Sequence, residues 1–355
     1  MTHMKKNILV VDDSALMRRV MCDIINSDGT FQVTDTCCDG LEAYEKLKTK
    51  GYDVVLDVNM PRMDGLQLLE KLQKEGIRAN VVMVSTLTDS READVTILAM
   101  ERGAIDFVAK PTNIIEAKGE AFKRQLLGIL NAVLATQKTA GGIRVAAKPA
   151  AKAPIMRKAT GGKNKLVALA CSTGGPKALQ SVIPFLPKEL DAPVVLVQHM
   201  PAGFTASLAA RLNEISDINV KEGADGDVIQ KGWVYIAPGG KHIEVVKKAS
   251  EYVIKLNDEP PIDGLRPCAN VMYKSLVQCN YDQIVCVVLT GMGADGTNGI
   301  KALNKNHKNI YVIAQDEDSC VVYGMPKAIA QTGLVDEVVP LNKIAETITK
   351  NVGVS

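Results

Sequence analysis

The sequence predicts an α/β protein made of two successive units, each built around a mostly parallel sheet. Three observations carry this. Short apolar runs, Ile8-Leu9-Val10-Val11, Val54-Val55-Leu56 and Phe107-Val108-Ala109, end on Asp12-Asp13, Asp57 and Lys110-Pro111. Apolar strands that finish in polar residues suit a parallel sheet, whose ligands bind outside the strand carboxyl ends. The strand–helix alternation lapses near Gln137 and resumes at Leu166, with a stretch of different composition between. At 355 residues the chain has the length of two domains.

The first unit brings Asp12, Asp13 and Asp57 to one sheet edge. Three carboxylates there repel one another unless a cation sits among them, and oxygen ligands completed by water suit Mg²⁺. The ammonium of Lys110 suits an anion arriving on one of the carboxylates. Each part has a plainer reading, since Asp-Asp before Ser14 and the expected helix Ala15–Ile25 also fits a turn or helix cap. The pattern nevertheless continues: Asp57-Val58-Asn59-Met60-Pro61-Arg62-Met63-Asp64-Gly65 follows the third strand, Ser85 follows a fourth at Asn80–Val84, and Phe107 lies in a fifth.

Residues from about Lys6 to Ile115 therefore resemble a response-regulator receiver domain, which implies a flavodoxin-like (βα)5 fold. Carried over by motif position, the resemblance makes Asp57 the phosphoacceptor and Asp12 and Asp13 the acidic metal-binding pair. The backbone carbonyl of Asn59 completes the metal shell, Ser85 and Phe107 form the switch pair, and Lys110 contacts the phosphoryl group.

Hydrophobic content of 46% supports substantial cores, while 4% aromatic is low for a protein that stacks on RNA bases. No apolar run reaches the roughly 18–20 residues of a membrane span. The apolar stretch after Lys5-Lys6 is too short for a signal-peptide core. Eight cysteines lack a CxxC or metal-finger spacing, so reduced thiols in a cytoplasmic protein are expected. Residues 138–163 read as a tether rich in Ala, Lys, Gly and Pro, separating a receiver unit at 1–137 from a catalytic unit at 164–355. Lys138, Arg144, Lys148, Lys152, Arg157, Lys158, Lys163 and Lys165 fall in or beside it with no acid. Those charges exceed the chain's net +2, so the folded remainder is acidic. With no aromatic residue interleaved, a solvated tether is expected rather than a nucleic-acid tail.

In the second unit, Leu166–Ala170, Val194–Val197, Val234–Ala237, Ile284–Leu289 and Ile310–Ala314 read as buried strands. Helices are expected at Pro176–Phe185, Phe204–Leu212, Gly296–Leu303 and Met325–Gln331, and a β-hairpin at Ile243–Leu256. The result is a larger, doubly wound α/β domain. Three strand ends carry reactive groups: Ser172 in Cys171-Ser172-Thr173-Gly174-Gly175-Pro176, His199 in Gln198-His199-Met200-Pro201, and Asp295 in Thr290-Gly291-Met292-Gly293-Ala294-Asp295-Gly296. Together they fit nucleophile, general base and the carboxylate that orients the base. Taken singly, the Ser turn could cradle phosphate, His199 could fill a polar pocket, and Asp295 could cap its helix. The Gly-rich turn matches neither a P-loop nor GxGxxG.

These motifs, with Ala237-Pro238-Gly239-Gly240-Lys241-His242 and Gln315-Asp316-Glu317-Asp318-Ser319-Cys320-Val321-Val322-Tyr323-Gly324-Met325-Pro326, resemble the chemotaxis protein-glutamate methylesterase (CheB) family from about Lys165 to Ile348. Receiver, linker and esterase is that family's layout. The resemblance implies that Ser172, His199 and Asp295 form its triad, and that Thr173 and the Met292 N–H lie where the oxyanion is stabilised. Two departures stand out. Ala170-Cys171 precedes the serine where Gly-Ala is more usual, and Cys268-Ala269-Asn270 replaces the more usual Ser-Val-Asp, which points to an effect on substrate preference.

The activity implied is hydrolysis of γ-glutamyl methyl esters on chemoreceptors, with deamidation of receptor glutamines alongside. A chemotaxis histidine kinase is the implied phosphodonor, Mg²⁺ the implied ion of the receiver, and no cofactor is expected for ester hydrolysis. The protein is expected to be monomeric, with no nucleic acid bound and no membrane insertion. The resemblance also implies that the receiver covers the catalytic face until Asp57 is phosphorylated. A transcriptional regulator would need a compact basic output domain instead, and a catalytically inactive phosphate sink or receptor-binding scaffold would lack an activated serine.

Overall fold

A computed structural model of the chain describes residues 5–86, 90–134, 164–306 and 308–354. The chain divides into two compact units, Met1–Thr139 and Ala140–Ser355. The expected tether, 138–163, lies outside the described residues, as do His3 and His307.

The first unit has five parallel strands: β1 (Lys6–Val11), β2 (Phe31–Cys37), β3 (Asp53–Asp57), β4 (Asn80–Ser85) and β5 (Asp106–Ala109). Their order is β2-β1-β3-β4-β5. The chain turns one way from β1 to β2 and the other way to β3, so a crevice opens between the carboxyl ends of β1 and β3. Ile8 to Val11 and Val54 to Leu56 are buried because helices cover both sheet faces. Ser14 caps the helix Ala15–Asn26 by accepting from the Met17 N–H, and Asp64 and Gln67 form a capping box on Gly65–Lys74. The edge strand β2 escapes a hydrophobicity reading because FQVTDTC exposes or half-exposes most of its residues.

The second unit contains β6 (Lys165–Cys171), β7 (Val194–Gln198), β8 (Asn219–Glu222), β9 (Trp233–Ile236), β10 (His242–Lys248), β11 (Glu251–Asn257), β12 (Gln283–Val288), β13 (Ile310–Gln315) and β14 (Glu337–Val339). Seven of these form a parallel sheet in the order β14-β13-β12-β6-β7-β9-β8. The remaining two, β10 and β11, form the antiparallel hairpin, paired from His242 opposite Asn257 to Lys248 opposite Glu251. The first strand of the unit, β6, lies between β7 and β12, so the winding reverses beside it.

Two details depart from the sequence reading. The helix expected over Pro176–Phe185 ends at Gln180, and Ile183–Phe185 is a separate 3₁₀ turn. Pro184 has no N–H to return to the Gln180 carbonyl and disfavours helical backbone before it. The unanticipated strands β8 and β14 have four and three residues and lie at the sheet edges, where β8 carries mostly polar residues and β14 leaves Val338 exposed.

Packing ties the helix Ala269–Ser275 to the centre of this sheet. Tyr273 is fully buried, and its hydroxyl lies 3.1 Å from the Ala168 carbonyl of β6 and 3.0 Å from the Val287 carbonyl of β12. Loss of that donor in Tyr273→Phe is expected to lower unfolding free energy by about 1–2 kcal/mol in urea titrations. An unchanged midpoint would show that the ring alone carries the contact.

Candidate functional site

In the first unit the strand ends bring charge together. Asp12 follows β1, Asp57 ends β3, and Lys110 follows β5. The Lys110 ammonium lies 2.8 Å from Asp57 Oδ2 and 2.8 Å from Asp12 Oδ2. Burial and the neighbouring Asp12 push the Asp57 carboxyl up to about 6, against the pull of Lys110. Burial likewise raises Asp12. For Lys110 burial opposes the charge, but Asp57 and Asp12 outweigh it and the ammonium is held more firmly protonated.

Asp13 is exposed, yet the ligand oxygens of Asp12, Asp13 and Asp57 fall within 4.8 Å of one another. Three convergent carboxylates fit a hard divalent cation. Asn59 is exposed, and its side-chain amide donates to Glu92 at 3.3 Å. Ser85 and Phe107 are both buried. The Ser85 hydroxyl accepts from Thr96 at 2.6 Å and donates to the Thr86 carbonyl. Thr96, on the helix Ser90–Glu101, is a partner the sequence reading did not single out.

In the second unit, Ser172, His199 and Asp295 follow β6, β7 and β12, three adjacent strands. Cys171 pairs with Gln198 in the β6–β7 register, so Ser172 and His199 are the next residues on neighbouring strand ends. Gly174, at φ 75°, turns the chain out of β6 and starts the helix Gly175–Gln180. A Cβ on Gly291 would come within 2.8 Å of Ser172 Cβ, which brings the Thr290–Gly296 loop against the serine. Ser172 itself is half-buried.

His199 Nε2 lies 2.8 Å from Asp295 Oδ2. Its Nδ1 is buried and has no partner among the described residues. Asp295 is buried and densely solvated by protein: Ala269 N–H donates to Oδ2, while Asn270 N–H, Gly296 N–H and the Cys268 thiol donate to Oδ1. Burial pushes this carboxyl up, but the His199 ring and those donors outweigh it and hold it at about 2. The Cys268-Ala269-Asn270 departure thus touches the Asp295 carboxylate, a placement invisible in the linear sequence. Cys171 is fully buried with its thiol driven strongly upward by burial, as expected of an inert strand-end cysteine.

The N–H groups of Thr173 and Met292 have no acceptor among the described residues. Thr173 is buried, whereas the Met292 side chain is 50% exposed. The Ser172 hydroxyl and the His199 ring are not hydrogen-bonded to each other; such contacts are often long before substrate arrives. Gln198, which sequence reading passed over, donates its amide to the carbonyls of both Ser172 and His199 at 3.1 Å.

Fold and strand-edge clusters together define a class: a response regulator whose second unit carries a Ser–His–Asp constellation on a doubly wound sheet. Residues 8–119 match the response regulator receiver domain family and residues 167–348 match the CheB methylesterase family. The chain is 44% identical to a protein-glutamate methylesterase/protein-glutamine glutaminase of Pyrococcus horikoshii, covering 98% of this chain and 94% of that one. It is 41% identical to the protein of the same name from Bacillus subtilis, covering 96% and 97%. Its second unit is similar to the solved CheB methylesterase catalytic domain of Thermotoga maritima, at 40% identity and a TM-score of 0.51. That match covers 53% of this chain and 98% of the Thermotoga domain. This chain belongs to the CheB methylesterase family and carries a response regulator receiver domain. No helix among the described residues is long and apolar enough to cross a membrane.

Proposed function

We propose that the protein is a cytoplasmic, phosphorylation-regulated esterase that removes methyl groups from glutamate side chains of chemoreceptors and deamidates receptor glutamines. The observation that carries this reading is the Asp295–His199 pair at 2.8 Å beside Ser172, on the ends of three neighbouring strands. Ser172 Oγ attacks the γ-ester carbonyl while its proton passes to His199. With Nε2 engaged by Asp295, Nδ1 is the nitrogen left to take it. Asp295 fixes this tautomer and stabilises the imidazolium that forms. The N–H groups of Thr173 and Met292 are suited to receive the developing oxyanion. The imidazolium then protonates the leaving methoxide, methanol departs, and water activated by His199 hydrolyses the acyl-serine to free glutamate. For glutamine the same steps release ammonia.

Asp57 is the proposed phosphoacceptor, with a chemotaxis histidine kinase as donor. Asp12, Asp13, Asp57 and the Asn59 carbonyl would hold Mg²⁺, which when bound offsets carboxylate and phosphoryl charge. Lys110 contacts the phosphoryl oxygens, and Ser85 would leave Thr96 to reach them while Phe107 repacks. The esterase itself uses no metal in this scheme. Residues 1–137 and 164–355 are assigned as receiver and catalytic domains, and 138–163 as their linker.

The control is testable in four measurements of methanol release from methylated receptor: wild type and Asp57→Asn, each with and without a small-molecule phosphodonor in Mg²⁺. Wild type is expected to respond, Asp57→Asn to stay at the basal rate, and chelation of divalent cations to remove the wild-type response. Equal rates in all conditions would reject phospho-control.

A further inference from the structure

The last β6–β7 ladder bond runs from the His199 N–H to the Cys171 carbonyl at 3.2 Å, and beyond it the two chains part. Past that point no β6–β7 backbone bond ties Ser172 to His199, and the Ser172 N–H turns instead to the Thr290 carbonyl at 3.0 Å. The Gln198 side chain ties the two from a site that is 2% exposed. Its Nε2 lies 3.1 Å from the carbonyl oxygens of both Ser172 and His199, so one amide group donates both its protons to the two reactive residues.

The amide orientation is fixed by its other end. Gln198 Oε1 accepts from the Cys171 thiol at 3.0 Å, closer than that thiol's other acceptor, the Val197 carbonyl at 3.8 Å. Burial keeps the Cys171 thiol protonated and therefore a donor. Rotating the amide by half a turn would set its carbonyl against two carbonyls and its N–H₂ against a thiol proton. The space is equally specific: a Cβ on Gly175 would fall 1.9 Å from Gln198 Oε1.

We infer that Gln198, itself oriented by the Cys171 thiol, is a positioning residue that locks the Ser172 turn to the His199 loop and so sets the nucleophile–base distance. This rests on Ser172 and His199 having the roles proposed above. It also gives Cys171 a function: the thiol acts on the reaction only through Gln198, never as a nucleophile.

The test is methanol release by the full-length protein bearing Gln198→Met, Cys171→Ala, Cys171→Ser, the Gln198→Met/Cys171→Ala pair, or Ser172→Ala. A displacement of about 1 Å at the reacting atoms costs on the order of 100-fold, so Gln198→Met is expected to lower kcat by about that factor while KM holds within about 3-fold. Cys171→Ala, which loses one hydrogen bond, should lose about 5- to 10-fold, and the hydroxyl of Cys171→Ser should recover most of it. The double variant should be no slower than Gln198→Met alone, a non-additivity that general destabilisation does not produce. Should circular dichroism show Gln198→Met unfolded, the Cys171→Ala and Cys171→Ser comparison decides by itself. Wild-type kcat in Gln198→Met, or in Cys171→Ala, with Ser172→Ala inactive, overturns this inference alone. Activity retained in Ser172→Ala overturns the triad assignment on which it rests.

Discussion

Ser172→Ala is expected to reduce methanol release from methylated receptor by roughly 10⁶-fold while Asp57 still accepts phosphate. The size of the loss follows from the chemistry. Without Oγ there is no acyl intermediate, and the remaining donors can only polarise a carbonyl for attack by water. Fold is not at stake, because Ser172 is half-buried and its hydroxyl bonds neither to His199 nor to the sheet. The same variant separates an enzyme from a receptor-binding scaffold or phosphate sink. A serine-directed acylating reagent should label wild type and spare the variant, since only an activated hydroxyl reacts. Equal labelling of both proteins, or a rate within about tenfold of wild type, would falsify the triad assignment.

Asp295→Asn should cost about 10⁴-fold in kcat, the order seen when a triad carboxylate becomes an amide and the imidazole tautomer is lost. Here the reason is visible atom by atom. Both carboxylate oxygens face donors: His199 and Ala269 N–H at Oδ2; Cys268, Asn270 N–H and Gly296 N–H at Oδ1. An amide nitrogen at either position points protons at protons, so the side chain turns away or His199 does. The substitution also changes acid stability. A carboxyl held at about 2 when folded and near 3.8 when unfolded stabilises the protein above pH ~4, and that contribution disappears as pH falls toward 2. Urea titrations at pH 6 and pH 3 should show Asp295→Asn less stable than wild type at the higher pH, with the gap narrowing at the lower. A gap that widens on acidification would contradict the depressed carboxyl.

Much of this architecture was legible in the sequence because parallel sheets write their function at strand ends. Asp12, Asp57 and Lys110 each follow an apolar run, and so do Ser172 and His199, so strand order alone brings each set to one edge. Among the strands, those missed have residues that face water on one side: β2, with alternating polar residues, and β8 and β14, short and marginal. Pro184 was a readable stop signal, outweighed by the apolar pattern around it. The contacts supporting the site were less accessible. Cys268, Ala269 and Asn270 lie 25 to 27 residues from Asp295 and meet it only because their helix packs across the β6–β12 junction. Gln198 was in plain view beside His199, yet a glutamine at a strand end carries no periodic signal. Thr96 behind Ser85 was hidden in the same way, as one buried polar residue on an otherwise ordinary helix.

The histidine's attachment has a mechanical consequence. With Asp295 gripping the far nitrogen of the ring, the proposed proton transfer falls to the near one, a single ring atom from Cβ. The base is therefore carried on a short lever. Rotation about the Cα–Cβ bond moves that nitrogen less than the far one, and the Asp295 contact at the far nitrogen restrains rotation of the ring about its own bond. Any shift of the main chain at residue 199, by contrast, reaches it almost undiminished. The position of such a base is therefore tied closely to the backbone beneath the ring.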